Sequence, residues 1–219
     1  MEKIQLAIFD LDGVLVDTAE FHYLAWKKLA AGFGYDLTRE ENEQFKGVSR
    51  DRCMQLLCGL MQREMSPEEQ RRWSAWKNEQ YVESISRLDR SALLPGSLDL
   101  LERLKRRGVR TALGSASKNA GLILQRLGIE QAFDCVVDGT KVQRAKPDPQ
   151  VFLLSAQTLQ IQPSRCAVFE DSAAGVEAAH RAAMKAVGVG SPKILARADV
   201  VIKDLSEMND EKLDFLDTL

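Results

Sequence analysis

Residues 8–26 read IFDLDGVLVDTAEFHYLAW, an apolar run that ends in two aspartates, Asp10 and Asp12, two residues apart. Gly13 follows them at once, and His22 comes soon afterwards in a stretch with helical spacing. The pattern predicts a buried strand, a turn that glycine makes easy, and then a helix. A parallel strand that ends in paired carboxylates predicts a polar site at the carboxyl end of the sheet.

Five further apolar runs predict the other strands of this sheet. They cover residues 109–115, 133–138, 166–171, 185–190 and 198–202. Short apolar runs with little alternation are typical of parallel strands that are covered on both faces. Helical patterns lie between them from residue 95 onward, so the sequence predicts an α/β fold with a Rossmann-like, doubly wound parallel sheet.

Residues 19–90 carry helical signals and no convincing strand pattern. Thr38 and Glu41 have the spacing of a capping box, and Ser66 precedes a proline and two glutamates at a second predicted helix start. An earlier helix is predicted from Ala19 onward, where Phe21, Leu24, Ala25 and Leu29 have helical spacing. We expect Leu24 to lie on the buried apolar stripe of that helix. The segment therefore predicts a helical lobe inserted after the first strand.

The two kinds of pattern together predict two domains. An α/β core domain is expected from residues 1–16 and 93–219, and an α-helical cap domain from residues 17–92. The chain has 219 residues, of which 45% are hydrophobic. That is enough for one sizeable core and a small second lobe.

Composition argues against several classes of function. The formal net charge is −2, from 30 basic and 32 acidic residues, so we expect no nucleic-acid partner. No apolar run approaches the length of a membrane span, and early charges interrupt any signal-peptide core. We therefore expect no membrane partner and a cytoplasmic location. A monomer is the default expectation, because no exposed apolar stripe is evident.

Polar residues also follow or precede the other predicted strands and helices. Ser115 follows the second strand, Lys146 lies in the loop before a helix, and Glu170 and Asp171 end the fourth strand. The carboxyl ends of parallel strands meet at one edge of a sheet, where ligands bind. Crowded carboxylates without His or Cys suit Mg²⁺, which removes their mutual repulsion. The hydroxyl and the lysine suit phosphate.

The two aspartates of the first strand then need separate roles. Asp10 can attack phosphorus and hold an aspartyl-phosphate, and Asp12 can act as general acid and then base. Each motif alone has a plainer interpretation: a Ca²⁺ loop or a solvated strand end, an ordinary turn, a plain loop, or a helix N-cap pair. Their joint order, each at a strand end or in the loop that leads to the next element, favours phosphoryl transfer.

The segments FDLDGVLVD, GSAS, KPDP and FEDSAAG resemble the four motifs of the haloacid dehalogenase superfamily, in its subgroup with a helical cap after the first strand. The resemblance covers essentially the whole chain. It implies Asp10 as nucleophile and Asp12 as general acid/base. The implied Mg²⁺ ligands are Asp10, the Asp12 carbonyl and Asp171, with Glu170 assisting. The implied contacts to the transferring phosphate are Ser115, Ala116 and Lys146.

Four further segments, DTAEFHYLAWKKLA, FKGVSRD, WKNEQYV and SASKNAG, are similar to the β-phosphoglucomutase family within that superfamily. The similarity implies that cap closure is coupled to acid/base chemistry by Thr18, His22 and Lys77. It also implies a set of residues that bind the sugar and its second phosphate. These are Lys46, Gly47, Val48, Arg50, Asn78, Ser117, Lys118 and Asn119.

The implied activity is that of a Mg²⁺-dependent intramolecular phosphotransferase, an isomerase. It would interconvert β-D-glucose 1-phosphate and glucose 6-phosphate through an aspartyl-phosphate and β-glucose 1,6-bisphosphate, so a sugar phosphate is the expected partner. The alternative is a hydrolytic phosphatase of the same fold that acts on small sugar phosphates. A receiver-type binding module and a dehalogenase rank lower, because the first has no use for a cap and the second none for Asp12 and Asp171.

Overall fold

The computed structural model describes residues 3–45 and 48–219. These residues form a parallel sheet with the strand order β3-β2-β1-β4-β5-β6. The strands are β1 (Leu6–Phe9), β2 (Arg110–Gly114), β3 (Cys135–Val137), β4 (Cys166–Glu170), β5 (Lys185–Val189) and β6 (Val200–Ile202). Each predicted apolar run contains one strand, and the predicted fold class is confirmed.

Helices flank the sheet and make up the inserted segment. They are α1 (Ala19–Ala31), α2 (Arg39–Asn42), α3 (Arg50–Leu60), α4 (Pro67–Ile85), α5 (Ser97–Arg106), α6 (Ala120–Leu127), α7 (Gln150–Thr158), α8 (Ala173–Arg181) and α9 (Asp210–Leu216). Two of them, α5 and α6, end just before glycines with positive φ, Gly108 and Gly128. This is the helix stop that the sequence predicts at both positions.

The sheet forms the middle layer of the core. All residues of β1 and β4 are buried, as expected for central strands covered on both faces. On one face, Ile8 and Val168 belong to a cluster that includes Phe152 of α7 and Val176 of α8. Burial of each such side chain stabilises the fold by about 1.5–3 kcal/mol relative to its exposure.

Contacts between Cα atoms divide the chain into two compact units. One contains the chain up to Asp17 together with Asp89–Leu219, and the other is Thr18–Leu88. The first holds the sheet, and the second contains α1 to α4 with no strand among its described residues. The division into functional domains at residues 17 and 92 stays a prediction.

The helix starts of the second unit follow the predicted capping chemistry. The Thr38 and Ser66 side chains each accept a hydrogen bond from the backbone of the glutamate three residues later. The glutamate side chains, Glu41 and Glu69, accept in return from the cap backbone. Both predicted helix starts are confirmed, and reciprocal caps of this kind satisfy backbone donors that a helix start otherwise leaves unpaired.

The buried stripe of α1 differs from the predicted one. Tyr23, Trp26 and Leu29 are buried, whereas Leu24 is 50% exposed. At about 100° per residue, Leu24 points roughly 200° away from Trp26, so both cannot face the core. The expectation for Leu24 was wrong because the larger aromatic side chains set the stripe.

Cysteines and hydropathy add two observations. Cys53, Cys58 and Cys166 are buried, and Cys135 is partly exposed. No helix in residues 3–45 and 48–219 combines the length and the apolar character that crossing a membrane requires.

Candidate active site

The first strand delivers Asp10 to the carboxyl edge of the sheet. The Asp10 amide donates to the Phe169 carbonyl at 2.9 Å, which extends the pairing of β1 with β4, and the residue is 8% exposed. Gly13 has φ +76°, and its amide donates to the Val16 carbonyl at 2.8 Å. A Cβ at Gly13 would collide with the Asp171 carboxylate. Glycine is therefore required for the turn and for the close approach of Asp171.

Carboxylates from two neighbouring strands converge at this edge. Asp10, Glu170 and Asp171 each offer an oxygen within 4.8 Å of the others. Glu170 is the last residue of β4, and Asp171 follows it directly. Asp12 is partly exposed, and its charge contributes to the raised pKa values of Asp10 and Asp171. The structure thus brings together the four acidic residues that the sequence predicts as one cluster.

Lys146 is the cation of this cluster. Its ammonium donates to Asp10 Oδ1 at 2.6 Å and forms a second buried ion pair with Glu170. The Phe152 ring lies below it, with its centroid 4.9 Å from Nζ. Burial opposes the charge of the ammonium, but the attraction to Asp10 and Glu170 outweighs burial and raises the pKa of Lys146. The lysine is therefore protonated.

The cluster holds more negative charge than one lysine neutralises. Burial, reinforced by the neighbouring carboxylates and opposed by Lys146, raises the pKa of Asp10 well above its usual range. Burial and then the repulsion from Glu170 raise the pKa of Asp171 to about 7. A divalent cation would relieve this repulsion, and an all-oxygen donor set suits Mg²⁺. The residues present therefore fit a bound magnesium ion.

A loop between β2 and α6 carries the predicted phosphate-binding residues from Ser115 to Asn119. Strand β2 pairs with β1, so the loop leaves the same edge of the sheet that carries Asp10. The Ser115 hydroxyl, which is buried, accepts from the Ser117 amide at 3.1 Å. Ser117 Oγ in turn accepts from the Asn119 amide at 3.3 Å. Ala116 lies within this chain of bonds, and Lys118 is exposed.

In the second unit, His22 and Lys77 form a close pair. Lys77 Nζ lies 2.8 Å from His22 Nδ1, and the His22 ring stacks on Tyr81 with centroids 4.0 Å apart. Burial, then the charges of Lys77 and Arg50, lower the pKa of His22 well below its usual range. An ammonium only donates, so Nδ1 accepts and the proton of the neutral ring lies on Nε2.

Two further residues predicted from the sequence, Arg50 and Asn78, contact each other in this unit. Arg50 Nη2 donates to Asn78 Oδ1 at 2.7 Å, which fixes one edge of the guanidinium plane. Burial lowers the pKa of Arg50. Val48 packs against the apolar core of the unit, and Thr18 is fully buried. The predicted residues Lys46 and Gly47 lie outside the described residues.

Residues 4–183 match the family model of the haloacid dehalogenase-like hydrolases. The chain belongs to this family. The resemblance that the four sequence motifs indicate is therefore confirmed, and the family supports phosphoryl-transfer chemistry at the acidic cluster.

Relatives in this family include both mutases and phosphatases. The chain is 40% identical over 212 residues to a β-phosphoglucomutase of Bacillus subtilis, covering 96% of this chain and 94% of that protein. It is 32% identical over 192 residues to a fructose-1-phosphate phosphatase of Escherichia coli, covering 86% and 97%. A crystal structure of a β-phosphoglucomutase from Clostridium difficile superposes with a TM-score of 0.94 at 37% identity, covering 98% and 97%.

Two residues that position Glu170 in the acidic cluster, Ser172 and Gly175, were not predicted from the sequence. The Ser172 amide and hydroxyl both donate to Glu170 Oε2, at 3.1 and 2.9 Å. A Cβ on Gly175 would occupy the space of the Glu170 carboxylate. A serine at the N-cap of a predicted helix and a glycine three residues later were the available signals. Neither shows by itself that its partner is a buried glutamate.

Proposed function

We propose that this chain interconverts β-D-glucose 1-phosphate and glucose 6-phosphate, with an aspartyl-phosphate on Asp10 and β-glucose 1,6-bisphosphate as intermediates. The cluster of Asp10, Lys146, Glu170 and the partly exposed Asp171 carries the proposal, because it combines a candidate nucleophile, a fixed cation and a candidate site for a divalent metal. The 40% identity to the Bacillus enzyme supports the substrate.

Asp10 is the proposed nucleophile. It lies at the end of a rigid central strand, and Lys146 holds Oδ1 and opposes the rise in its pKa. Asp10, the Asp12 carbonyl and Asp171, with Glu170 assisting, would hold Mg²⁺, which would neutralise charge on the transferring phosphoryl group. Loss of the proton from Asp10 is needed for attack, since only the carboxylate is nucleophilic.

Asp12 is the proposed general acid and base. It follows the nucleophile by two residues and is partly exposed at the turn made by Gly13. When the phosphoryl group moves from Asp10 to the sugar, Asp12 would take the proton from the attacking sugar hydroxyl. When Asp10 takes the other phosphoryl group from the bisphosphate, Asp12 would return a proton to the leaving sugar oxygen.

The transferring phosphate is assigned to the loop of Ser115 and Ala116 and to Lys146. The bonds within the 115–119 loop preorganise its backbone, so little rearrangement accompanies binding. Such fixed donors are most effective where charge develops during transfer. The lysine adds a full positive charge that its two carboxylate partners keep in place.

A mutase needs a second phosphate-binding site, because its bisphosphate intermediate must reorient so that its other phosphate reaches Asp10. Arginine suits this role, since its planar fork binds phosphate through two donors. One nitrogen of the Arg50 guanidinium, Nη2, donates a hydrogen bond to Asn78. The further residues predicted for the sugar and second phosphate are Lys46, Gly47, Val48, Ser117, Lys118 and Asn119. The coupling of closure to acid/base chemistry stays assigned to Thr18, His22 and Lys77.

The proposal includes a Mg²⁺ requirement and a sugar phosphate as partner. Monomeric state, cytoplasmic location and the absence of nucleic-acid and membrane partners remain predictions.

Phosphorus NMR tests the proposal directly. The enzyme is mixed with β-glucose 1-phosphate, Mg²⁺ and a trace of β-glucose 1,6-bisphosphate. We expect glucose 6-phosphate to appear with little inorganic phosphate, and omission of Mg²⁺ to stop the reaction. Conversion that is unchanged in the presence of a chelator would contradict the metal assignment.

A sugar-phosphate phosphatase is the second candidate, favoured by the similarity to the Escherichia coli phosphatase. The same chemistry on Asp10 would then end with water as the acceptor. Stoichiometric release of inorganic phosphate from β-glucose 1-phosphate, without any glucose 6-phosphate, would replace the mutase proposal by this one.

A further inference from the structure

The loop that carries Lys146 is fastened to helix α7 by one side chain, Gln150. Gln150 Oε1 accepts hydrogen bonds from the backbone amides of Gln143 and Arg144, both at 2.9 Å. A carbonyl oxygen has two lone pairs and can accept both bonds. The two amides lie three and two residues before Lys146, so Gln150 fixes the backbone on the N-terminal side of the lysine.

Asp148 closes the loop from the other side. Asp148 Oδ1 accepts from the Gln150 amide at 3.0 Å, and Oδ2 pairs with Arg144 Nε at 2.9 Å. Residues 143–144 and 148–150 are thus tied together by side chains, with Lys146 at the tip between them. Joining the two ends of a short loop in this way restricts the movement of its tip.

Helix α7 gives the loop a firm support. Phe152, two residues after Gln150, is fully buried in the core of the sheet. Its ring lies 4.9 Å from Lys146 Nζ. The first turn of α7 therefore holds both the backbone of the loop, through Gln150, and the end of the lysine side chain, through Phe152.

The geometry points to Gln150 as a positioning residue for phosphoryl transfer, which acts by holding the loop so that the Lys146 ammonium reaches Asp10. The lysine side chain is buried and packed on Phe152, which limits its adjustment, and its bond to Asp10 Oδ1 is 2.6 Å long. A loop displaced by about 1 Å would break this contact. The inference rests on the proposed function, because that proposal places Lys146 at the transferring phosphate.

Three variants separate positioning from simple stability. Gln150→Ala removes the acceptor, and Gln150→Glu replaces the amide oxygen with a carboxylate oxygen that can still accept from both amides. Gln157→Ala is the matched control, since Gln157 is exposed on the same helix. We expect Gln150→Ala to lower kcat on the order of tenfold with KM changed less than about twofold, because the contact that is lost lies at the transferring group.

Gln150→Glu should recover most of kcat, and Gln157→Ala should match the wild type. Hydrogen exchange of the amides of Gln143 and Arg144 should quicken in Gln150→Ala only. Faster exchange with an unchanged kcat would overturn the inference, as would an activity loss that Gln150→Glu does not restore. Thermal unfolding of each variant shows whether a lower kcat reflects unfolded enzyme.

A second measurement tests this inference independently of the proposed function. The rate at which Asp10 is phosphorylated by acetyl phosphate needs the site but no sugar. If the wild type captures phosphate and fails to convert β-glucose 1-phosphate, the mutase proposal fails, and a slower capture by Gln150→Ala still supports the positioning role. Equal capture rates in the wild type and Gln150→Ala would overturn the positioning role alone.

Discussion

At the scale of single residues, the buried lysine sets the electrostatic state of the site. Lys146 is 7% exposed, and its ammonium bonds both Asp10 and Glu170. Buried charges are tolerated when each polar atom has a partner. Glu170 meets this condition, because its other oxygen accepts two bonds from Ser172. The arrangement keeps Asp10 and its neighbouring carboxylates together at one edge of the sheet.

Replacement of Asp10, the proposed nucleophile, gives the sharpest prediction for a single residue. Asp10→Asn should abolish phosphoenzyme formation, because the amide is not a nucleophile towards phosphorus. It should leave the protein folded, because the amide oxygen can still accept from Lys146 and the lysine keeps its ion pair with Glu170. Mass spectrometry after incubation with acetyl phosphate and Mg²⁺ measures the covalent phosphate.

Asp36→Asn is the control for that experiment. Asp36 is exposed in the second unit, where it pairs with Lys27, and its variant should form phosphoenzyme as the wild type does. A phosphorylated Asp10→Asn protein would mean that another residue is the nucleophile.

At the scale of elements, helix α8 is shaped around the end of β4. Ser172 caps the helix by accepting from the Gly175 amide at 3.0 Å and also donates to Glu170. The missing side chain at Gly175 leaves the space in which the Glu170 carboxylate lies. The strand end and the following helix start therefore form one unit that fixes the orientation of Glu170.

Two glycines in helices should respond oppositely to the same substitution. Gly175→Ala in α8 should lower activity and stability, because the new methyl group would displace Glu170 and its bond to Lys146. Gly121→Ala in α6 should raise the free energy of unfolding by about 0.5–1 kcal/mol, since nothing lies within 4 Å of a Cβ there and alanine favours helix.

Chemical denaturation and initial rates measure both effects. Because both variants add one methyl group to a helix, their difference isolates the local surroundings. Wild-type activity in Gly175→Ala would show that Glu170 does not need its present position.

At the scale of the whole molecule, His22 couples stability to pH. Its pKa is lowered by burial and by the cations Lys77 and Arg50. Below its ordinary pKa of about 6.5 the unfolded chain binds a proton that the folded chain does not. Acidification therefore favours the unfolded state, and stability falls as pH drops below that value.

His22→Gln should remove this component. Between pH 7.5 and 5.5, the wild type should lose up to about 1.4 kcal/mol per pH unit more than His22→Gln does. The other histidine, His180, pairs with Asp199 and provides the control, because His180→Gln should keep the His22 component. Urea titrations across this pH range make the comparison. Parallel curves for wild type and His22→Gln would show that His22 charges freely in the folded protein.

Much of the site could be predicted because its chemistry follows local signals. Asp10, Asp12 and Ser115 come directly after apolar runs, and the ends of parallel strands share one edge of the sheet. Lys146 and Glu170 could be predicted from the order in which the motifs follow one another along the chain. The comparison with relatives then established the family, while the catalytic and binding roles of the individual site residues remain predictions.

The strands and the helix caps follow from the amino-acid sequence, because hydrophobic periodicity and capping act between near neighbours. The acidic cluster follows from the rule that the carboxyl ends of parallel strands share one edge of the sheet. Tertiary structure alone decided the strand order, the exposure of Leu24 and the two bonds by which Gln150 holds the Lys146 loop. These depend on which elements pack together in space. The contact between Lys146 and Asp10 joins residues 136 positions apart, and no local pattern specifies the distance between two such atoms.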